Sequence, residues 1–338
     1  MYHSLARSCR RPGRARATRS SRCCRYPMKQ RGAGPGRCGG NAHHCAGKSP
    51  GRDHQFGWEA FTIGMEDNFA GKGNEMGLLE NLKSSSERLE RMLRLRTPVV
   101  GIKLLRNPKD IPEEAYRPDR TTVCQMTGVA RYHDIVVAGE KGNIVCPMGA
   151  TTIGFSEWPD GFFETRVGEY SDDVNAVKKM LLGSPQIEPN TFSAVVMAPL
   201  SKMPMMPDSV SIYANTGQVL LLAYGVSWES GDELVCATTG HMGECSNAIA
   251  ATYVNKKPSL ALPCFGARRR GLCTDSEMVV GVPSEKFEAI VKYVERSYEA
   301  GRKYPIRVHG LIGYHSPDWP KVSGAWNGLR ERGHKERT

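Results

Sequence analysis

All of the net charge on this chain sits in its first sixty residues, which confines the fold to the residues after them. Residues 1–60 carry thirteen Lys and Arg against two acids, Asp53 and Glu59, and so hold the whole formal charge of +11. Residues 61–338 carry 33 basic and 33 acidic groups and are neutral. Arg, Gly and Ser dominate the leading segment, and its scattered apolar residues cannot offset the roughly 1–2 kcal/mol per residue that backbone ordering costs. Residues 1–75 therefore read as a disordered basic tail, or as an upstream stretch translated from a start codon placed too early, with Met65 or Met76 as the true start. The absence of acids before Asp53 fits a transit peptide, but no helical apolar stripe accompanies it.

The neutral body excludes a nucleic-acid footprint on the folded part, since that needs a dense basic face. No run of 18 apolar residues exists to span a membrane, and no apolar core of a secretory signal is present. A cytoplasmic setting is expected. Eleven cysteines in such a chain point to reduced thiols, metal binding or catalysis more than to disulfides. Five of them, Cys9, Cys23, Cys24, Cys38 and Cys45, lie in the basic tail at spacings that fit no zinc template. Six remain in the body.

Helix and strand signals alternate there. A helix is expected over Glu80–Arg96, stopped by Thr97-Pro98, then a strand over Val99–Leu105 and a helix over Thr122–Arg131. Asp134–Ala138 and Asn143–Val145 read as a hairpin around Gly139–Gly142. Phe155–Tyr170, with Trp158, Phe162 and Phe163, reads as a long loop or a cover over a site. A helix over Asp172–Leu182 precedes strands at Ser193–Ala198 and Ser209–Ala214. Thr216–Val226 is apolar enough to be either element. A helix over Glu244–Val254 and strands at Leu260–Leu262 and Met278–Val282 follow, then a helix capped by Ser284 and ended near Gly301. The pattern implies an α/β or α+β fold, a mixed sheet with flanking helices, over residues 76–304 as a single domain. Residues 305–338 form a polar C-terminal extension. An echo between Cys146-Pro-Met-Gly-Ala and Cys245-Ser-Asn-Ala-Ile, each a cysteine before small residues, suggests two related halves.

Several blocks resemble the ArCR family, domain of unknown function 169. They are Val99-Val-Gly-Ile-Lys103, Cys124-Gln with Ala130-Arg131, Ile144-Val-Cys146, Pro207-Asp208, Glu244-Cys245, Leu262-Pro-Cys264-Phe-Gly266-Ala-Arg268, and Asp275-Ser-Glu277 with Gly281-Val-Pro283. The resemblance covers roughly residues 78–300 and carries no assigned function. It implies a soluble microbial protein in which Cys124, Cys146, Cys245, Cys264, Gly266, Arg268 and Glu277 are the positions to examine. Cys236 and Cys273 lie outside these blocks.

Four thiolates from Cys124, Cys146, Cys245 and Cys264 would suit an iron–sulfur cluster, with tetrahedral zinc as the alternative. Each cysteine stands at the edge of a strand or helix signal, where one rim of a sheet can gather them. His241 or Cys236 is a substitute fourth ligand. Against this stands the reading of four small buried hydrophobes, since free cysteine is among the most buried residue types. The alternative function is a metal-free enzyme or binding protein for a small anionic ligand at Cys264, Gly266, Arg268 and Glu277. Gly266 would let backbone N–H groups approach an anion, and Arg268 would pair with it. Arg268 pairing instead with Asp275 or Glu277 to close the loop weighs nearly as much. The Cys264-x5-Arg270 spacing of thiol phosphatases lacks its flanking His and Ser/Thr and is rejected. A small molecule or a redox partner is the expected companion.

Overall fold

The computed structural model describes residues 72–228 and 231–306. Expectations for residues 1–71 and for most of the C-terminal extension lie outside these. Among the described residues the elements run α1 (Lys72–Leu93), β1 (Val100–Leu105), α2 (Val123–His133), β2 (Val137–Glu140), α3 (Pro147–Thr152), α4 (Val174–Leu182), β3 (Ala194–Pro199), β4 (Ser209–Ala214) and α5 (Thr216–Ser227). A π-helix (Gly243–Ala250) continues into α6 (Ala251–Asn255), followed by β5 (Ser259–Ala261), α7 (Phe265–Arg270), β6 (Met278–Pro283) and α8 (Ser284–Glu299).

Local chemistry sets the helix starts. The Thr122 side chain accepts the Gln125 N–H at the head of α2, and Asp173 accepts the Asn175 N–H at the head of α4. Asn215 and Gln218 form a reciprocal capping box that decides the 216–226 ambiguity in favour of helix. Gln218 also donates to the Leu93 carbonyl, 2.8 Å away, and so satisfies the end of α1. Helix α1 begins at Lys72, inside the stretch expected to be disordered. Ser284 is the first residue of α8, and its hydroxyl makes no cap bond.

The six strands form one sheet in the order β2-β3-β1-β4-β6-β5, and every ladder is antiparallel. Among the described residues parallel pairing is confined to isolated bridges, such as Thr121 with Ile144 and Val235 with Ser259. The expected 134–145 hairpin does not form. Strand β2 pairs with β3, and Ile144 bridges Thr121 instead.

Read inward from either edge, the sheet order is the second, third and first strand of a half. The halves meet at β1 and β4. In each half a helix carrying a cysteine in its first turn lies between the first two strands, and a six-residue helix capped by a cysteine follows the second. Cys124 thus corresponds to Cys245, and Cys146 to Cys264. The sequence agrees, because Cys124 and Cys245 are each followed by Ala six and Tyr eight residues later. Cys146-Pro-Met-Gly-Ala likewise parallels Cys264-Phe-Gly-Ala. The echo between Cys146 and Cys245 therefore joined the wrong members of two real pairs.

Alternating side chains sort into two cores. On one face Val196, Ala198, Val210, Ile212, Val280 and Val282 pack under α1, α5 and α8, with Leu89, Leu93, Phe287 and Val291. On the other, Ile102, Val195, Met197, Tyr213 and Val279 pack under α2, α3 and the π-helix. Gly281 permits the latter contact, since a Cβ there would collide with the Ala248 carbonyl.

Candidate functional site

The four cysteines singled out in the sequence line one cavity of about 660 Å³ on the second face. Helix α2 packs on α7 and α3 packs on the π-helix, so each contact joins one half to the other. That exchange brings thiols about 140 residues apart in sequence to one place.

Cys264 is the N-cap of α7, and its sulfur accepts hydrogen bonds from the Cys124 thiol and from the backbone N–H groups of Ala267, Gly243 and Gly266. The Cys124 bond foremost, with the three N–H donors, overrides desolvation and lowers the Cys264 thiol from 9.0 to about 5. Cys124 keeps its proton. Its pKa is driven well up by donating to Cys264, with burial and the nearby Glu244 adding to the effect. Burial, then the neighbouring Cys264 and Cys146, raises Cys245 well above the ordinary range. Cys264 is thus held far more acidic than its neighbours Cys124 and Cys245. The approach of the Gly243 N–H depends on the absence of a side chain, since a Cβ would strike the Leu262 carbonyl.

Beside the thiols lies Glu244, fully buried in the first turn of the π-helix. Its Oε1 accepts the Thr127 and Tyr213 hydroxyls, and its Oε2 has no partner among the described residues. Burial raises its pKa. Behind it Arg131 lies 3.7 Å over the Tyr213 ring, donates to Glu277 at 2.6 Å and Thr97 at 2.9 Å, and approaches the Cys273 sulfur at 3.5 Å. Burial lifts Cys273 to about 12. π-Helical turns recur at functional sites because the widened turn re-aims its side chains.

The 155–170 segment covers one side of the cavity through Phe162, Arg166 and Tyr170, in keeping with the expected cover. His241 lies ahead of the π-helix and stacks on Tyr170 with centroids 3.9 Å apart. It lines the cavity from a loop and does not share a helix face with Cys245. Gly266 also lines the cavity, with Arg269 and Arg270.

Two of the expected ligand-binding residues are turned elsewhere. Arg268 donates to the Pro263 carbonyl at 3.1 Å and the Thr274 carbonyl at 2.7 Å, and pairs with Asp275 at 3.2 Å. It closes the loop around α7 and borders a separate concavity of about 520 Å³. Glu277 is buried, held by Arg131 and the Thr274 N–H. Cys236 is exposed away from the cavity. Sequence reasoning missed Glu244, Thr127, Tyr213 and Arg131 as a group. The available signal was an acid opening a run of small residues in an expected helix.

Among the described residues no group of three or more His, Cys, Asp or Glu is gathered as a single metal ion would require. A cluster makes a different demand, because inorganic sulfur lies between its iron atoms and the cysteines stand further apart.

No described helix is long and apolar enough to cross a membrane. No solved structure matches the chain. An uncharacterised protein of Methanocaldococcus jannaschii is 27% identical over 223 residues, 64% of this chain and 95% of that protein. Residues 88–293, more than half the chain, match the family described as uncharacterised ArCR, and the chain belongs to this family, domain of unknown function 169.

Proposed function

We propose that this protein holds an iron–sulfur cluster on Cys124, Cys146, Cys245 and Cys264 and serves redox chemistry or redox sensing. The observation that carries the reading is the convergence of these four thiols, two from each half, on one cavity wall. Soft thiolate sulfur suits iron, and the N–H donors aimed at Cys264 are the kind of hydrogen bond to a ligating sulfur that tunes a cluster's potential. Glu244 and the Arg131 network would shape the field around it. The protein purified without oxygen should contain iron and acid-labile sulfide in near-equal amounts, with a broad visible absorption that dithionite bleaches. Cys→Ser at each of the four positions should lower the iron content, while Cys236→Ser should not. Wild-type protein without iron, or iron unchanged in all four variants, would refute the reading.

The low Cys264 pKa supports a second reading, a metal-free site at which the Cys264 thiolate meets a small anionic or electrophilic ligand near the Gly266 N–H. Iron-free protein that iodoacetamide modifies at Cys264 near pH 6, faster than at any other described cysteine, would favour it.

A further inference from the structure

Within the group of four thiols, Cys124 and Cys264 form a couple. Their sulfurs are in direct hydrogen-bond contact, the Cys124 thiol donating to Cys264. Both flank one backbone position. A Cβ at Gly266 would lie 3.7 Å from the Cys264 sulfur and 4.0 Å from the Cys124 sulfur, and the glycine puts no side chain there. The other buried thiols are directed elsewhere. Cys245 points its thiol at the Met242 carbonyl, 3.8 Å away, and Cys273 lies 3.5 Å from Arg131. A disulfide needs its sulfurs about 2 Å apart, which is a short approach from hydrogen-bond contact.

The couple is also open to a ligand. Both sulfurs border the cavity of about 660 Å³, a size that suits a small molecule. Met148, Phe162, Tyr170 and Phe265 give it apolar walls. The cover formed by the 155–170 segment makes the approach a cavity and not a flat face, so it admits a small molecule in preference to a folded protein. Hydrogen bonds separate the two roles. The backbone N–H groups of Ala267, Gly243 and Gly266 converge on the Cys264 sulfur and favour negative charge there, whereas Cys124 is a donor.

We infer that Cys124 and Cys264 are a redox-active dithiol that reduces a low-molecular-weight disulfide in this cavity, with Cys264 attacking and Cys124 resolving. The inference rests on the metal-free reading of the site and names its substrate class. The Cys264 thiolate attacks one sulfur of the substrate R–S–S–R, forming a mixed disulfide and expelling RS⁻. The Cys124 sulfur then attacks the Cys264 sulfur and closes a disulfide between them. The second substrate sulfur departs with the Cys124 proton as RSH. The substrate disulfide gains two electrons, and the two protein sulfurs lose them. Because α2 and α7 belong to different halves, the new bond would also tie one half to the other.

The test treats the reduced full chain with hydroxyethyl disulfide, a neutral probe that the charge of residues 1–60 neither attracts nor repels. After acid quenching, peptide mapping by mass spectrometry should find Cys124 joined to Cys264 in the wild type, with both free thiols lost. In Cys124→Ser the mixed disulfide should persist at Cys264. In Cys264→Ser, Cys124 should stay unmodified. A mixed disulfide left standing on wild-type Cys264, a bond to some other cysteine in its place, or no reaction at either residue would overturn the inference. Modification of Cys264 by iodoacetamide would in that event still uphold the metal-free reading. Iron in the purified protein that both variants lose would overturn that reading and the inference together. Mapping of the wild type needs no variant, so misfolding of a variant cannot mask the result.

Discussion

The two faces of the sheet are built to different rules. Under α1, α5 and α8 the core is Leu, Val, Ile and Phe against apolar strand positions. Each such side chain contributes roughly 1.5–3 kcal/mol by leaving water. On the opposite face the same strands support Glu244, Arg131, Glu277 and Tyr213 beneath buried and half-buried thiols. Removing the Arg131 and Glu277 charges from water costs several kcal/mol each, and replacing such a buried pair with apolar groups is often neutral or stabilising. One face carries stability. The other carries polar groups that stability alone does not require.

The comparison breaks most sharply at Arg131. Arg131→Ala should cost about 3–5 kcal/mol, because it leaves Glu277 buried without its cation. Phe287→Ala on the other face should cost a similar 3–5 kcal/mol through cavity formation. Urea unfolding gives both losses, and thiol reactivity separates them. Phe287→Ala should leave modification of Cys264 unchanged, whereas Arg131→Ala should alter it. Equal thiol behaviour in the two variants would dissolve the distinction between the faces.

A smaller effect is expected from pH, in protein free of metal. Cys264 titrates at about 5 when folded against an ordinary 9.0. The unfolded chain therefore binds the extra proton between those values, and stability rises with pH across that window. This contribution is complete above the ordinary thiol range and disappears as pH falls through about 5. Cys264→Ser should flatten the slope of urea midpoint against pH. A slope unchanged by the substitution would mean that Cys264 is no thiolate. The smallest effect is expected from Arg268→Ala, which removes hydrogen bonds at the rim of a loop. About 1 kcal/mol should be lost, with iron content retained. Loss of iron without loss of stability would return Arg268 to the ligand-binding role its sequence neighbourhood suggested.

The elements that could be read from sequence were those with a local signature. The 3.6-residue period of α8 and the apolar runs of β1 and β4 identify themselves. Pairing partners do not, because alternation says which face a residue takes and not which strand lies beside it. The region from 134 to 145 resembles a hairpin for that reason, although β2 finds β3 more than fifty residues away. The cysteines were legible because each stands at the edge of an element. Glu244 was not, since a carboxylate in sequence gives no sign of the Thr127 and Tyr213 hydroxyls that await it. Nor does the sequence announce a π-helix, and we have no physical account of why residues 243–250 widen.

The seam between the halves has a consequence for assembly. Strands β1 and β4 share only three register pairs, from Val100 with Ser211 to Ile102 with Ser209, whereas β1 with β3 and β4 with β6 share six each. Each half closes its own long ladder, but neither holds more than two of the four thiols. The four thiols therefore come together only after this three-pair ladder has zipped. Closure of such distant contacts is costly and slow, so a nascent chain would display its thiols unassembled until its second half emerged. Amide exchange along residues 100–102 would report the opening of that seam, and with it the moments when the four thiols part.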